Sequence, residues 1–424
     1  MIKILKCGEQ KPEEIFARGA NVKDVSKAVS EIIQRVKSAG DAALKEYTEK
    51  FDGAKLDFLS VTEQEFREGI NCVEPEFLRI LKQAARNIVR FHKKQKRKGF
   101  SLTKKDGTVI GQKITPIENV GLYVPGGTAA YPSTVLMNAI PAKIAGSKRI
   151  IIATPPDSDG KINPAILAAA YVAGVTEIYK VGGAQAIAAM AFGTESIPKV
   201  DKIVGPGNAY VAEAKKQVFG VVNIDMIAGP SEILIVADKK SEPSFIAADL
   251  LSQAEHDKMA SAVLVTDSED FALKVQAEIE KQLPALSREP IARASIDGNG
   301  KIIVAENIGK AIEIANVLAP EHLELCVDEP FKYLDKVINA GSVFLGRNCP
   351  EALGDYFAGT NHTLPTSGTA RFSSPLSVDD FIKKTQFTYY TKDALDKVAD
   401  KIAYFANKEG LTAHAKSATI RSEK

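Results

Sequence analysis

Histidine is scarce in this chain: His92, His256, His322, His362 and His414 are the only five among 424 residues. His256 closes the stretch Leu251-Ser252-Gln253-Ala254-Glu255-His256-Asp257, where Gln253 and His256 stand at i and i+3. On a helix that spacing puts both on one face, so an amide oxygen and an imidazole nitrogen can address one ion. Zinc takes nitrogen and oxygen donors in a tetrahedron, and a third and fourth ligand must then come from elsewhere. Asp355, in Leu353-Gly354-Asp355-Tyr356, and His414, near the C-terminus, are available donors. Spacing does not bring them together, and the Gln-His pair alone fits an ordinary helix end equally well. His322 follows Glu321 in Ala319-Pro320-Glu321-His322-Leu323-Glu324. Two adjacent proton acceptors, one titrating near neutrality, suit general-base work. A surface Glu-His pair at a turn is the plainer reading of the same residues.

Three glycine clusters are the other chemical signal: Val124-Pro125-Gly126-Gly127, Val181-Gly182-Gly183-Ala184-Gln185 and Val204-Gly205-Pro206-Gly207-Asn208. Glycine at a strand-to-helix turn lets backbone approach a phosphate and turns the helix N-terminus toward an anion. None of the three fits GxGxxG, and no Walker A sequence occurs. HExxH and GxSxG are absent too, which counts against zincin proteases and α/β-hydrolases.

The elements that must position these residues follow from periodicity. Residues 22–50 and 63–93 carry apolar positions at three- and four-residue spacing, as in Val25, Val29, Ile32, Ile33 and Val36, and read as helices. Phe51-Asp52-Gly53 stops the first. Beyond residue 109, short β-branched runs alternate with alanine-rich helical segments. The sequence predicts strands at Arg149–Thr154, Glu177–Val181, Glu232–Val236, Ser261–Thr266, Lys301–Val304 and Ser342–Leu345. Helices are expected at 164–174, 184–192, 243–256, 269–282 and 308–318. Strand–helix alternation of this kind argues for parallel α/β sheets. The polar, turn-rich span 359–375 is long for a compact protein, and such loops are functional or disordered. A last helix is expected over about 392–407, followed by an unstructured tail.

Bulk numbers exclude several classes. At ~150 residues per domain the length suggests two or three domains. A 45% hydrophobic and 25% charged composition is ordinary for globular chains. Net charge is +2, from 55 basic and 53 acidic residues, so no global affinity for nucleic acid or anionic membrane is expected. The run His92-Lys93-Lys94-Gln95-Lys96-Arg97-Lys98 reads as a solvated helix end, with a polyanion patch as the alternative. Cys7, Cys72, Cys326 and Cys349 form no CxxC and stand beside no activating base, so they are read as free thiols of a reducing cytosol. The N-terminus lacks a signal-peptide core, and no apolar run approaches the roughly 20 residues of a membrane span. A cytoplasmic location is expected.

Ordered blocks along nearly the whole chain resemble the histidinol dehydrogenase family. They are Val120–Gly127, Val204–Asn208, Ala228-Gly-Pro-Ser-Glu232, Asp249–Asp257, Ala319–Leu323, and the run from Gly354 through Asn361-His362-Thr-Leu-Pro-Thr to Phe372. The resemblance implies oxidation of L-histidinol to L-histidine through L-histidinaldehyde, with two NAD reduced in sequence. It implies one zinc per subunit held by Gln253, His256, Asp355 and His414, and Glu321 and His322 as the bases. Ser231, Glu409 and His362 are expected around the substrate, together with the zinc ligands and His322. Tyr123, Gln185 and Asn208 match positions that contact NAD. The implied architecture is α/β, with two incomplete Rossmann-like parallel-sheet domains, two small terminal pieces and an intertwined homodimer. Its expected boundaries are 1–19 for a small N-terminal piece, 20–123 with 232–375 for the main domain, 124–231 for the NAD-side domain, and 376–424 for a C-terminal piece. That last piece reaches the neighbour's active site, making Glu409 and His414 contributors in trans. The rival readings are a relative oxidising another small alcohol or diol, a non-catalytic zinc or small-molecule binder, and a zinc hydrolase with Glu321 as base.

Overall fold

A computed structural model describes residues 1–10, 12–16, 24–126 and 130–422. Two parallel sheets, each covered by helices on both faces, organise the chain. The larger has six strands in the order Lys3–Lys6, Lys301–Val304, Ser261–Thr266, Glu232–Ala237, His322–Cys326, Ser342–Leu345. Its inner strands are apolar on both faces, as a sheet covered on both sides requires. Ile233, Ile235, Leu264 and Ile302 pack under helices Pro243–Ala254, Glu269–Gln282 and Glu289–Asn299. On the opposite face, Leu234, Val236, Val265 and Leu325 pack against helix Ile308–Leu318.

The second sheet has five strands in the order Glu177–Lys180, Arg149–Thr154, Asn119–Tyr123, Lys202–Val204, Asn223–Ile224. Helices Gly183–Phe192 and Ala209–Val218 cover one face, and Pro132–Ala145 and Pro164–Ala173 the other. Asn163 caps the last of these by accepting from the Ala165 amide, and Gly174 ends it in the left-handed conformation. The mixed α/β fold with two parallel sheets matches the expectation. Among the described residues no helix is long and apolar enough to cross a membrane.

Several expectations need correction. The helices of the first hundred residues cover the five-stranded sheet: Val29 and Ile33 share a core with Ile187 and Val211, and Leu81 and Ile88 with Val120 and Leu136. Asn119–Tyr123 is the central strand of that five-stranded sheet. The expected 63–93 helix is two, Glu63–Asn71 and Pro75–His92. Pro75 disfavours a helical conformation at the residue before it and starts the second helix at its first position. Residues 22–23 and Gly127, which fell within expected features, lie outside the described residues. The tail after 407 is not unstructured, since Thr412–Thr419 is helical. A third, antiparallel sheet of Ile382–Tyr389, Val109–Pro116 and Phe100–Thr103 was not foreseen. The lysine run behaves as a helix end: Lys93, Lys94 and Lys96 are solvated or partly so, whereas His92 is buried with Nδ1 2.7 Å from Gln95 Oε1.

Candidate active site

In the six-stranded sheet the strand order reverses between Glu232–Ala237 and His322–Cys326, and parallel sheets usually bind ligands at the carboxyl ends of such a pair. Here that edge is filled. Arg347 bridges Asp238, at 2.6 and 2.7 Å, and Asp328, at 2.7 Å. The predicted chemistry gathers at the opposite, amino edge. Ser231 and Glu232 enter one strand there, and Glu321 and His322 enter its neighbour. Helices Pro243–Ala254 and Ile308–Leu318 end at the same edge, so the negative ends of two helix dipoles face it. That field favours a cation. Ala319 takes the left-handed conformation (φ 46°) to turn the chain from helix to strand.

Gln253 lies in the last turn of its helix, and His256 just past the helix rather than on it. The backbone turn His256 N–H to Gln253 O nevertheless keeps them together, and Gln253 Nε2 is 3.1 Å from His256 Nδ1. Gln253 Oε1 is buried without a partner. Glu321 and His322 are buried, not a surface pair at a turn. The Nδ1–H of His322 donates to Glu232 O at 3.0 Å, which fixes the tautomer and leaves Nε2 as the free acceptor of a neutral ring. That Nε2 is also buried without a hydrogen bond, 3.6 Å from Asp355 Oδ1. Glu321 Oε2 accepts from the Glu232 amide at 2.8 Å. Asp355 sits on helix Glu351–Tyr356, and His362 Nδ1 is 3.9 Å from its Oδ1. The 359–375 span is ordered: Asn361 Nδ2 donates to Met137 O, Gly229 N–H donates to Thr366 Oγ1, and Thr134 Oγ1 is 3.3 Å from His362 Nε2.

Electrostatics point the same way. Burial pushes Glu321 up to about 8. Burial opposes charge on His322, but Glu321 and Asp355 outweigh it and push its pKa up to about 10; a cation bound at Asp355 would offset that carboxylate's support and favour the neutral ring. Burial raises the Asp355 carboxyl, yet His322 and His362 bring it below its ordinary value. Burial keeps His256 and His362 neutral, the form that binds metal. The sequence reading missed Glu351: a carboxylate oxygen of it, a ring nitrogen of His322 and a carboxylate oxygen of Asp355 all lie within 4.8 Å of one another. It accepts from Ser252 Oγ at 2.7 Å, and burial lifts its pKa to about 7. The i, i+4 spacing of Glu351 and Asp355 was the available signal. Behind it, Asp249 and Glu324 form another buried acidic pair, both raised by burial. So many carboxylates near two orphaned acceptor atoms call for positive charge, and the Gln253, His256 and Asp355 set suits zinc.

The five-stranded sheet reverses its order between Asn119–Tyr123 and Lys202–Val204. The residues expected at NAD cluster on its carboxyl edge. Tyr123 ends the first strand and its hydroxyl accepts from the Gly183 amide at 3.0 Å. Gln185 is buried in the first turn of Gly183–Phe192. Asn208 caps Ala209–Val218, its Oδ1 accepting from Tyr210 and Val211. Glu409 and His414 do not join either group within the chain. Both are exposed and line a separate 420 Å³ groove with Ile402, Phe405 and Leu411. All four cysteines are free, and burial pushes the Cys326 thiol up, away from the thiolate a nucleophile needs.

A family model described as histidinol dehydrogenase matches residues 17–422. A protein of that name from Geobacillus kaustophilus is 58% identical over 398 residues, 94% of each chain. One from Clostridium acetobutylicum is 54% identical over 426 residues, 99% of each chain. The crystal structure of histidinol dehydrogenase from Elizabethkingia anophelis superposes with a TM-score of 0.94 at 42% identity, covering 99% of this chain and 98% of the other.

Proposed function

We propose, from the premise that the chain belongs to the histidinol dehydrogenase family, that it oxidises L-histidinol to L-histidine through L-histidinaldehyde, with NAD as hydride acceptor. The observation that supports this is the pair of orphaned buried atoms: His322 Nε2, grouped with Glu351 and Asp355, and Gln253 Oε1, whose amide lies against His256. Gln253, His256 and Asp355 of one subunit, with His414 of its neighbour, would hold zinc; Ser231, His362 and the neighbour's Glu409 would frame the substrate. Tyr123, Gln185 and Asn208 would contact the dinucleotide. When bound, zinc supplies orientation and charge for the imidazole and amine of histidinol, and NAD takes the two hydrides.

The chain's own residues manage the protons. His322 Nε2, positioned by its Nδ1–H bond to Glu232, accepts the hydroxyl proton as the alcohol becomes aldehyde. For the second oxidation, water adds to the aldehyde carbon and Glu321 takes a proton from it. Burial brings the Glu321 pKa up to about 8, near the neutral range in which one group can both take and return a proton. Burial keeps bulk water from the aldehyde between steps. Overall, one alcohol and one water become one carboxylate, two NADH and three protons.

The test is NADH absorbance with purified, zinc-loaded protein. Two NADH per histidinol are expected. None overturns the reading and leaves a hydrolase or a binding protein. Chelation should abolish activity, and full activity after zinc is stripped would remove the metal from the mechanism.

A further inference from the structure

The turn that follows strand Lys202–Val204 is built unusually. Gly205 has φ +124°, and a Cβ there would stand 2.0 Å from Tyr123 O, so its backbone lies directly against that strand end. Both polar groups of Gly205 are held from inside the protein. Its N–H donates to Asp225 Oδ2 at 2.7 Å, and its carbonyl accepts from Lys215 Nζ at 3.0 Å. Lys215 and Asp225 are ion-paired with each other, and their side chains are 2% and 1% exposed. Asp225 Oδ1 also accepts from the Met226 amide at 2.7 Å. A second buried lysine, Lys202, lies 3.7 Å from Asp380 beside this pair.

A buried ion pair is a poor way to gain stability, since well-packed apolar side chains often do as well or better. What apolar side chains cannot do is grip the N–H and the C=O of one glycine at once. The gripped turn runs Gly205-Pro206-Gly207-Asn208, at the point where the strand order of the sheet reverses. Gly207 has no room for a side chain, because a Cβ would meet Val211 at 2.4 Å. Asn208 ends the turn with Oδ1 committed to the amides of Tyr210 and Val211. Its Nδ2 is then the donor the turn offers to a ligand.

We propose that the buried Lys215–Asp225 pair is a positioning device for the dinucleotide: it shapes the Gly205–Asn208 turn so that its backbone and Asn208 Nδ2 meet NAD. This rests on the functional reading above and deepens it. Neither residue touches the cofactor in this account; both act through the turn.

Binding of NADH without substrate, followed by fluorescence, tests it apart from turnover. The double variant Lys215→Met/Asp225→Asn removes both charges and leaves neither unpaired. It should weaken NADH binding about tenfold or more while histidinol affinity and zinc content stay at wild-type levels. In turnover, KM for NAD should rise and kcat at saturating NAD should hold within about twofold. Should the double variant fail to fold, Asp225→Glu keeps both charges but lengthens the arm that holds Gly205, and an intermediate loss of NADH affinity is expected. A folded variant that binds NADH as wild type does overturns the inference alone. A wild-type protein that binds no NADH overturns the functional reading, and this inference with it.

Discussion

Glu321 and His322 are neighbours in sequence, but the strand start gives them different tasks. His322 is oriented by a backbone carbonyl and aims Nε2 toward Asp355, whereas Glu321 is anchored by one oxygen to the Glu232 amide. Glu321→Gln should therefore impair aldehyde oxidation more than alcohol oxidation, measured by supplying each substrate separately; equal losses would remove Glu321 as the group that activates water. His256→Asn should lose bound zinc, read by metal analysis, together with activity, while the folded assembly persists. Asp52 gives a test read on stability alone. Burial pushes its pKa up to about 6, and its Oδ2 is buried without a partner. A carboxyl that protonates more readily folded than unfolded stabilises at low pH, and that contribution fades as pH rises through about 6. Asp52→Asn should thus raise the melting temperature more near pH ~8 than near pH ~5; equal shifts at both would mean the carboxylate is not penalised by burial. At this scale the sequence was partly legible. The i, i+3 spacing exposed Gln253 and His256, although the second sits past the helix end. Spacing could not bring Asp355 or Glu351 to them, because that convergence is made by a helix packing across a sheet edge some hundred residues later.

Elements with two covered faces were the legible ones. Strands Ser261–Thr266 and Lys301–Val304 stand where their apolar runs place them, since burial on both faces writes itself as continuous β-branched sequence. The antiparallel sheet was not legible for the converse reason. Phe100–Thr103 is exposed throughout, and Ile382–Tyr389 almost so, leaving no alternation to read. The 359–375 span could be marked only as long and polar; its order comes from buried hydrogen bonds made by Asn361, Thr363 and Thr366. Gly359 joins that span to helix Pro75–His92. It has φ +98°, and a Cβ would stand 2.5 Å from Asn87 O. Gly359→Ala should cost about 2–4 kcal/mol from left-handed strain plus overpacking. Denaturant titration would measure it, and a loss under about 0.5 kcal/mol would mean the junction yields freely.

At the scale of the molecule, the exposed positions of Glu409 and His414 bear on assembly. If each completes the site of a second copy, two inactive variants should rescue one another. Unfolding and refolding His414→Asn with Glu321→Gln as an equal mixture should restore about a quarter of wild-type activity, because half of the dimers are mixed and each has one intact site. No recovery, with mixed dimers demonstrated, would place His414 in its own chain's site. A different consequence follows from the strand Lys3–Lys6, which pairs with Lys301–Val304 at the far edge of the six-stranded sheet. The whole five-stranded sheet and its helices are encoded between those two partners. During synthesis, the segment that closes the large sheet therefore leaves the ribosome well before the strand it pairs with. The five-stranded sheet and its helices can fold while strand Lys3–Lys6 still waits, and the sheet bearing Glu321 and His322 is sealed only afterwards. The edge strand Lys3–Lys6 thus joins the sheet through a contact that spans the whole of the other sheet in sequence.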